Sequence, residues 1–168
     1  MDEQGHSQRT IRKDDAISLV AALTQADVTE ESTLWTSFAE ATTVEVFCRN
    51  WLALQCCMIE GASAGVVLLG PADRGPFSPV AIWPEGLQHL TQLTHTAERT
   101  LRERRGCVLP SEPMDGEILN GRYEIGYPVE VRGALHGAVV LEVTTHSDVE
   151  PQGMMERLRW GMAWLELM

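Results

Sequence analysis

The sequence contains no apolar run near the roughly twenty residues that a membrane-spanning helix needs, so none of its segments is expected to cross a bilayer. Positive charge is scarce: 13 Lys and Arg against 24 Asp and Glu, for a formal net charge of −11. Without a long basic stripe to neutralise phosphates, a nucleic-acid partner is not expected. The single basic cluster, Arg99, Arg102, Arg104 and Arg105, falls where a helix is expected to end, and cations there complement the exposed carbonyls. Four cysteines, Cys48, Cys56, Cys57 and Cys107, lack paired CxxC spacing and are too sparse for a secreted disulfide scaffold. They read as reduced thiols in a cytoplasmic setting. His6, His89, His95, His136 and His146 have no ligand spacing such as i and i+4, so no metal site is expected. Ser63, Ser78 and Ser111 lack a nucleophile-elbow context. The first fifteen residues carry charges throughout and no apolar core, so they are not a secretory signal.

What is present is enough for one core. At 168 residues and 44% hydrophobic content, the chain reads as one domain preceded by a polar tail and a short lead-in helix, residues 1–28, with the domain over 29–168. Its centre is the stretch from Ile125 to Val143. Tyr127, Val129 and Val131 alternate with Gly126, Pro128 and Glu130, the period of a half-buried strand. A second strand follows after Arg132-Gly133, where glycine supplies the positive φ of a tight hairpin. Pro128 lacks an N–H and is expected to interrupt the ladder.

Before the hairpin, Val44, Phe47, Trp51, Leu54 and Met58 step at three and four residues along a helix expected over 43–59. Gly65 to Gly70 reads as a buried strand, Phe77 to Trp83 as a second, and Cys107 to Pro110 as a short third. Between them, Leu87, Leu90, Leu93, Thr94, Ala97 and Leu101 mark an amphipathic helix stopped at Gly106. Glu117 to Leu119 allows at most a brief strand. After the hairpin, a helix over 149–168 carries Met155, Leu158, Met162 and Leu165 on one stripe and Trp160, Trp164 and Leu167 on another. It runs to the last residue without a stop, as a segment continuing into a longer protein would.

This order of elements resembles the GAF domain, and particular residues carry the likeness. They are the strand Gly65-Val-Val-Leu-Leu-Gly70, the strand Tyr127-Pro-Val-Glu-Val131 and the strand Leu135-His-Gly-Ala-Val-Val-Leu-Glu-Val143. Four further segments are similar to the GAF region at the amino end of bacterial HlyD-type secretion and efflux adaptors. They are Trp51 to Cys56, Asp73 to Phe77, Ala97 to Arg99 with Glu103 to Gly106, and Trp160 to Glu166. The resemblance implies an α+β fold with a central antiparallel sheet of five or six strands, the terminal helices on one face, and a helix and loops over the other. It implies a sensory or regulatory role for a small-molecule site, and a full-length protein anchored in a membrane although this chain touches none.

The chemistry of known GAF ligands narrows the expectation. The Asn-Lys-x-x-x-Phe motif of cyclic-nucleotide binders is absent, and Glu112, Asp115 and Glu117 bring the wrong sign of charge for a phosphate. Bilin or haem would need a positioned thiol or axial ligand, so no cofactor is expected. Trp83, Cys107, Tyr127 and Pro128 are the candidate pocket residues. The apolar excess of the terminal helices, Trp51, Leu52, Cys56, Trp160, Trp164 and Leu167, points to a homodimer interface. The chain is therefore expected to be a non-enzyme. The competing readings are a cysteine-dependent redox enzyme of the free methionine sulfoxide reductase type, acting through Cys107, and a purely structural dimerisation module.

Overall fold

In the computed structural model, Arg132 and Gly133 hold φ of 52° and 82°, the two positive values of a type I′ corner. The corner joins β4 (Arg122–Val131) to β5 (Ala134–Thr144), the hairpin that the alternation predicts. The structure describes residues 31–86, 91–111, 121–145 and 151–166. The chain divides into two units, Met1–Thr33 and Leu34–Met168. The expected polar tail and lead-in helix, the helix start at Leu87, the brief strand at Glu117 and the last interface residue, Leu167, lie outside the described residues.

The other elements are a short helix over residues 31–39 (α1), α2 (Val44–Met58), β1 (Ala62–Leu69), β2 (Ser78–Trp83), α3 (Thr91–Glu103), β3 (Cys107–Pro110) and α4 (Pro151–Glu166). The strands form one antiparallel sheet in the order β2-β1-β5-β4-β3. This is the α+β layout implied by the resemblance, with five strands among the described residues. Thr43 starts α2 by accepting a hydrogen bond from the Val46 N–H at 3.3 Å, as an N-cap does.

The sheet's two faces are filled differently. On one, Val67, Ile125, Val139, Leu141 and Val143 meet Cys48, Trp51, Leu52, Leu54, Leu158 and Met162 of α2 and α4. Gly65 lets α2 approach, since a Cβ there would lie 2.9 Å from Leu52 and 2.7 Å from Leu141. The Trp51 indole N–H donates to the Gly161 carbonyl at 2.9 Å and ties the two helices together. On the other face, α3 sets Leu93 and Ala97 against Ala64, Val66 and Val140.

Two expectations need correction here. Trp51, Leu52 and Cys56 are 1%, 0% and 4% exposed: these three are taken up by the core of the same chain and are not on its surface. Pro128 does not break the ladder, because it stays paired opposite Ala138. β3 ends opposite Gly126, so Pro128 lies beyond the last β3 partner, where a strand tolerates proline. The irregularity instead falls between Val129 and Glu130.

The basic cluster is also put to use. Arg104 bridges Asp73 at 3.0 Å and Glu130 at 2.8 Å, and Asp73 accepts the Leu135 N–H at 3.0 Å. The end of α3, the β1–β2 loop and the hairpin tip are thereby joined. Arg105 and Arg99 both bond Glu103 and hold its carboxyl below the usual range, with the Arg105 hydrogen bond the larger cause.

Candidate functional site

The α3-covered face carries the polar chemistry. Thr96 and Thr100, one turn apart on α3, are fully buried. Residue 126 has no side chain, and α3 uses the room: a Cβ there would collide with the Thr100 hydroxyl. Thr96 Oγ1 donates to Glu124 Oε2. Thr100 Oγ1 donates to the Thr96 carbonyl at 2.8 Å and lies 3.0 Å from Cys107 Sγ.

Glu124 stands directly opposite Glu142 across β4 and β5, and each is 5% exposed. Residues opposite one another on antiparallel strands have Cβ atoms about 5 Å apart. Two carboxylates that close repel unless charge or protons intervene. Arg122, two residues before Glu124, supplies one cation: its Nη2 lies 3.0 Å from Glu142 Oε1. Ser63 donates to the same oxygen at 2.6 Å.

The irregularity at Val129 and Glu130 creates this pairing. Continued without a shift from Val131 opposite Ala134, the register would set Glu124 against Leu141. A one-residue bulge turns a carboxylate–leucine pair into a carboxylate pair and keeps Ile125 and Leu141 on the same face.

Ser111 lies on the same face of the sheet. Its N–H donates to the Arg122 carbonyl at 3.0 Å, so the alternation of β3 runs on through it. Cys107 faces α3, and by that alternation Ser111 shares its face with Arg122 and Glu124. The residue is 3% exposed, and its hydroxyl has no hydrogen-bond partner among the described residues.

The four candidate pocket residues do not converge. Trp83 and Tyr127 pack into the core beneath α2 and α4. Cys107 lies on the α3 face with the threonines, and Pro128 shares that face by alternation from Gly126. Of the interface candidates, Trp160 and Trp164 do point outward, at 73% and 43% exposed. They border Trp35 and Met58, also exposed, and Phe38 stacks edge-on against Trp164 with ring centroids 6.1 Å apart.

Sequence reasoning passed over Glu124, Glu142, Arg122, Thr96 and Thr100. The available signal was a glutamate between Leu141 and Val143, directly after the apolar run Ala138 to Leu141. None of the four cysteines is in a disulfide. Burial, with a smaller push from Glu45, raises the Cys48 thiol to about 11. Burial and then the neighbouring Cys57 raise Cys56 further. Neither suits a nucleophile that must ionise near neutrality. No group of metal-ligating side chains occurs among the described residues, and no helix there is long and apolar enough to cross a membrane.

No protein-family model matches the chain, and no curated protein matches it. Solved structures do share its fold. The GAF domain of nlh2 from A. aeolicus, in an inactive state, superposes with a TM-score of 0.58 over 86% of this chain and 96% of that one, at 9% identity. The GAF domain of the phosphoenolpyruvate-protein phosphotransferase from Acinetobacter superposes with a TM-score of 0.56 over 84% and 90%, at 13% identity. At such identities the likeness is one of fold, and the fold is that of GAF domains.

Proposed function

We propose that this chain is a non-catalytic sensory or regulatory domain that holds a small molecule against the α3-covered face of its sheet. The observation that carries the reading is the contrast in polarity. A domain that needed only a core would fill both faces as the α2 and α4 side is filled, since buried polar groups cost free energy unless every one is bonded. Here two carboxylates, an arginine, two threonines and a serine hydroxyl without a partner among the described residues occur on that face.

The relay runs through α4 to a second copy of the chain. Trp160 and Trp164 supply the surface, because large exposed aromatics side by side mark partner contacts. The full protein is a cytoplasmic module of a bacterial secretion or efflux adaptor, a placement supported by the HlyD-type segments in the sequence. A redox enzyme using Cys48 or Cys56 finds less support, because burial raises both thiols and favours inert packing.

A thermal-shift screen of metabolites against the chain tests the binding reading, because a ligand that prefers the native state raises the melting temperature. Hits lost in Glu142→Gln support the reading. A broad library without hits removes it and leaves the structural module.

A further inference from the structure

We infer that the second copy packs on α4 in parallel and in register, with Trp160 beside its own copy and Glu156 of each chain paired to Arg157 of the other. This deepens the self-association proposed above and rests on it. The first observation is the layout of the outer face of α4. The helix buries Met154, Leu158, Met162 and Leu165 and turns a second face outward. Gly153 and Trp160, seven residues apart, lie within about 20° of each other round the helix and form the middle of that face. Glu156 and Ala163 fall on one flank of it, Arg157 and Trp164 on the other. All six are exposed.

Gly153 is the second observation. A Cβ there would meet nothing within 4 Å. Glycine weakens a helix, and no neighbour among the described residues calls for it. A second helix lying close over this stripe does.

Charge then selects the orientation. Neither Glu156 nor Arg157 has an ion pair among the described residues. A two-fold axis along α4 brings each flank of one helix against the opposite flank of its copy. Glu156 then meets Arg157 of the second copy, and Ala163 leaves room for Trp164 of the second copy. An axis across α4 brings each flank against itself. Glu156 then faces a glutamate or an alanine, Arg157 an arginine or a tryptophan, and neither charge finds its opposite. Complementary charges of this kind set register and orientation. Both helices point the same way, so a ligand-driven shift of α4 moves the two copies together.

The test is sedimentation of the whole chain over a concentration series, with melting temperatures to confirm that each variant folds. Glu156→Arg and Arg157→Glu each turn two attractive contacts into repulsive ones, and each should weaken the dimer about tenfold. The two changes combined should restore it. Gly153→Cys, made with Cys57→Ser to remove the exposed thiol, should form a covalent dimer on mild oxidation, and Cys57→Ser alone should not. In-register helices bring residue 153 beside its copy, within the Cα separation of a disulfide. Single charge variants that associate like the parent, or a combined variant no tighter than either, overturn this pairing. So does a Gly153→Cys protein that does not cross-link. If Trp160→Gln still weakens association in those cases, the second copy stays on this surface in another orientation. A parent that remains monomeric at the highest concentration overturns the self-association reading and the pairing with it.

Discussion

The two faces of this sheet are built from the same strands and held by opposite means. Under α2 and α4, β5 contributes Val139, Leu141 and Val143, and the contacts are apolar and dense. Under α3, the same strand contributes Ala138, Val140 and Glu142, and hydrogen bonds from Ser63 and Arg122 are spent on the glutamate. Apolar packing is non-directional, so it tolerates small errors in register. A buried polar network does not, because each unmade bond leaves a desolvated group. The first face therefore supplies stability, and the second spends part of it on a defined arrangement.

The largest effect tests the apolar side. Leu52→Ala removes a fully buried side chain that fills the space above Gly65, and denaturant unfolding should show a loss of about 2–5 kcal/mol. A loss under about 1 kcal/mol would mean that this face is loosely packed and the contrast between the faces is false.

The next effect breaks the polar side. Glu142→Leu takes from Arg122, whose side chain is 30% exposed, the carboxylate 3.0 Å away. Water relieves part of the cost, so about 1–3 kcal/mol is expected rather than the full penalty of a deeply buried pair. Adding Arg122→Met should recover part of it, because both members of the ion pair are then gone while Glu124 stays beside their positions. If the double variant is no better than the single, the pair is not the unit that holds this face.

These two faces were not equally legible in the sequence. The apolar one declares itself locally: Val44, Phe47, Trp51 and Leu54 at helical spacing, and alternate residues either side of Arg132-Gly133, need only a period count. What the period could not assign was ownership, so Trp51, Leu52 and Cys56 read as surplus for a partner when α4 of the same chain covers them. The polar face is non-local. Glu124 and Glu142 face each other only through the bulge near Val129, and a bulge leaves little trace in composition. Thr96 and Thr100 resemble ordinary helix residues until Gly126 is known to admit them. The Tyr127 and Trp83 assignments failed for a related reason, since their strands were recognised without fixing which face each residue takes.

A smaller effect separates the faces by pH. The Cys48 thiol sits among the apolar contacts, with its ionisation raised from about 9 to about 11. An acid whose folded pKa is raised keeps its proton in the native state after the unfolded chain has lost it. Its contribution to stability is therefore full below the unfolded value and disappears as pH climbs through the folded one. Urea midpoints should fall between about pH 9 and 11, and Cys48→Ala should flatten that fall. An unchanged slope in Cys48→Ala would remove Cys48 as its source.

The smallest expected effect on stability carries the comparison outside the sheet, to two tryptophans on neighbouring helices. Trp51 is sealed and bonded to Gly161, whereas Trp160, one residue before that glycine, is 73% exposed. Trp160→Gln should move the unfolding free energy by no more than about 0.5 kcal/mol, as substitutions of exposed side chains do. Sedimentation should nevertheless show weaker self-association than the parent, since an aromatic held in water contributes little to its own fold and much to a partner that covers it. A destabilised Trp160→Gln that still associates like the parent would place Trp160 in the fold and move the partner surface elsewhere.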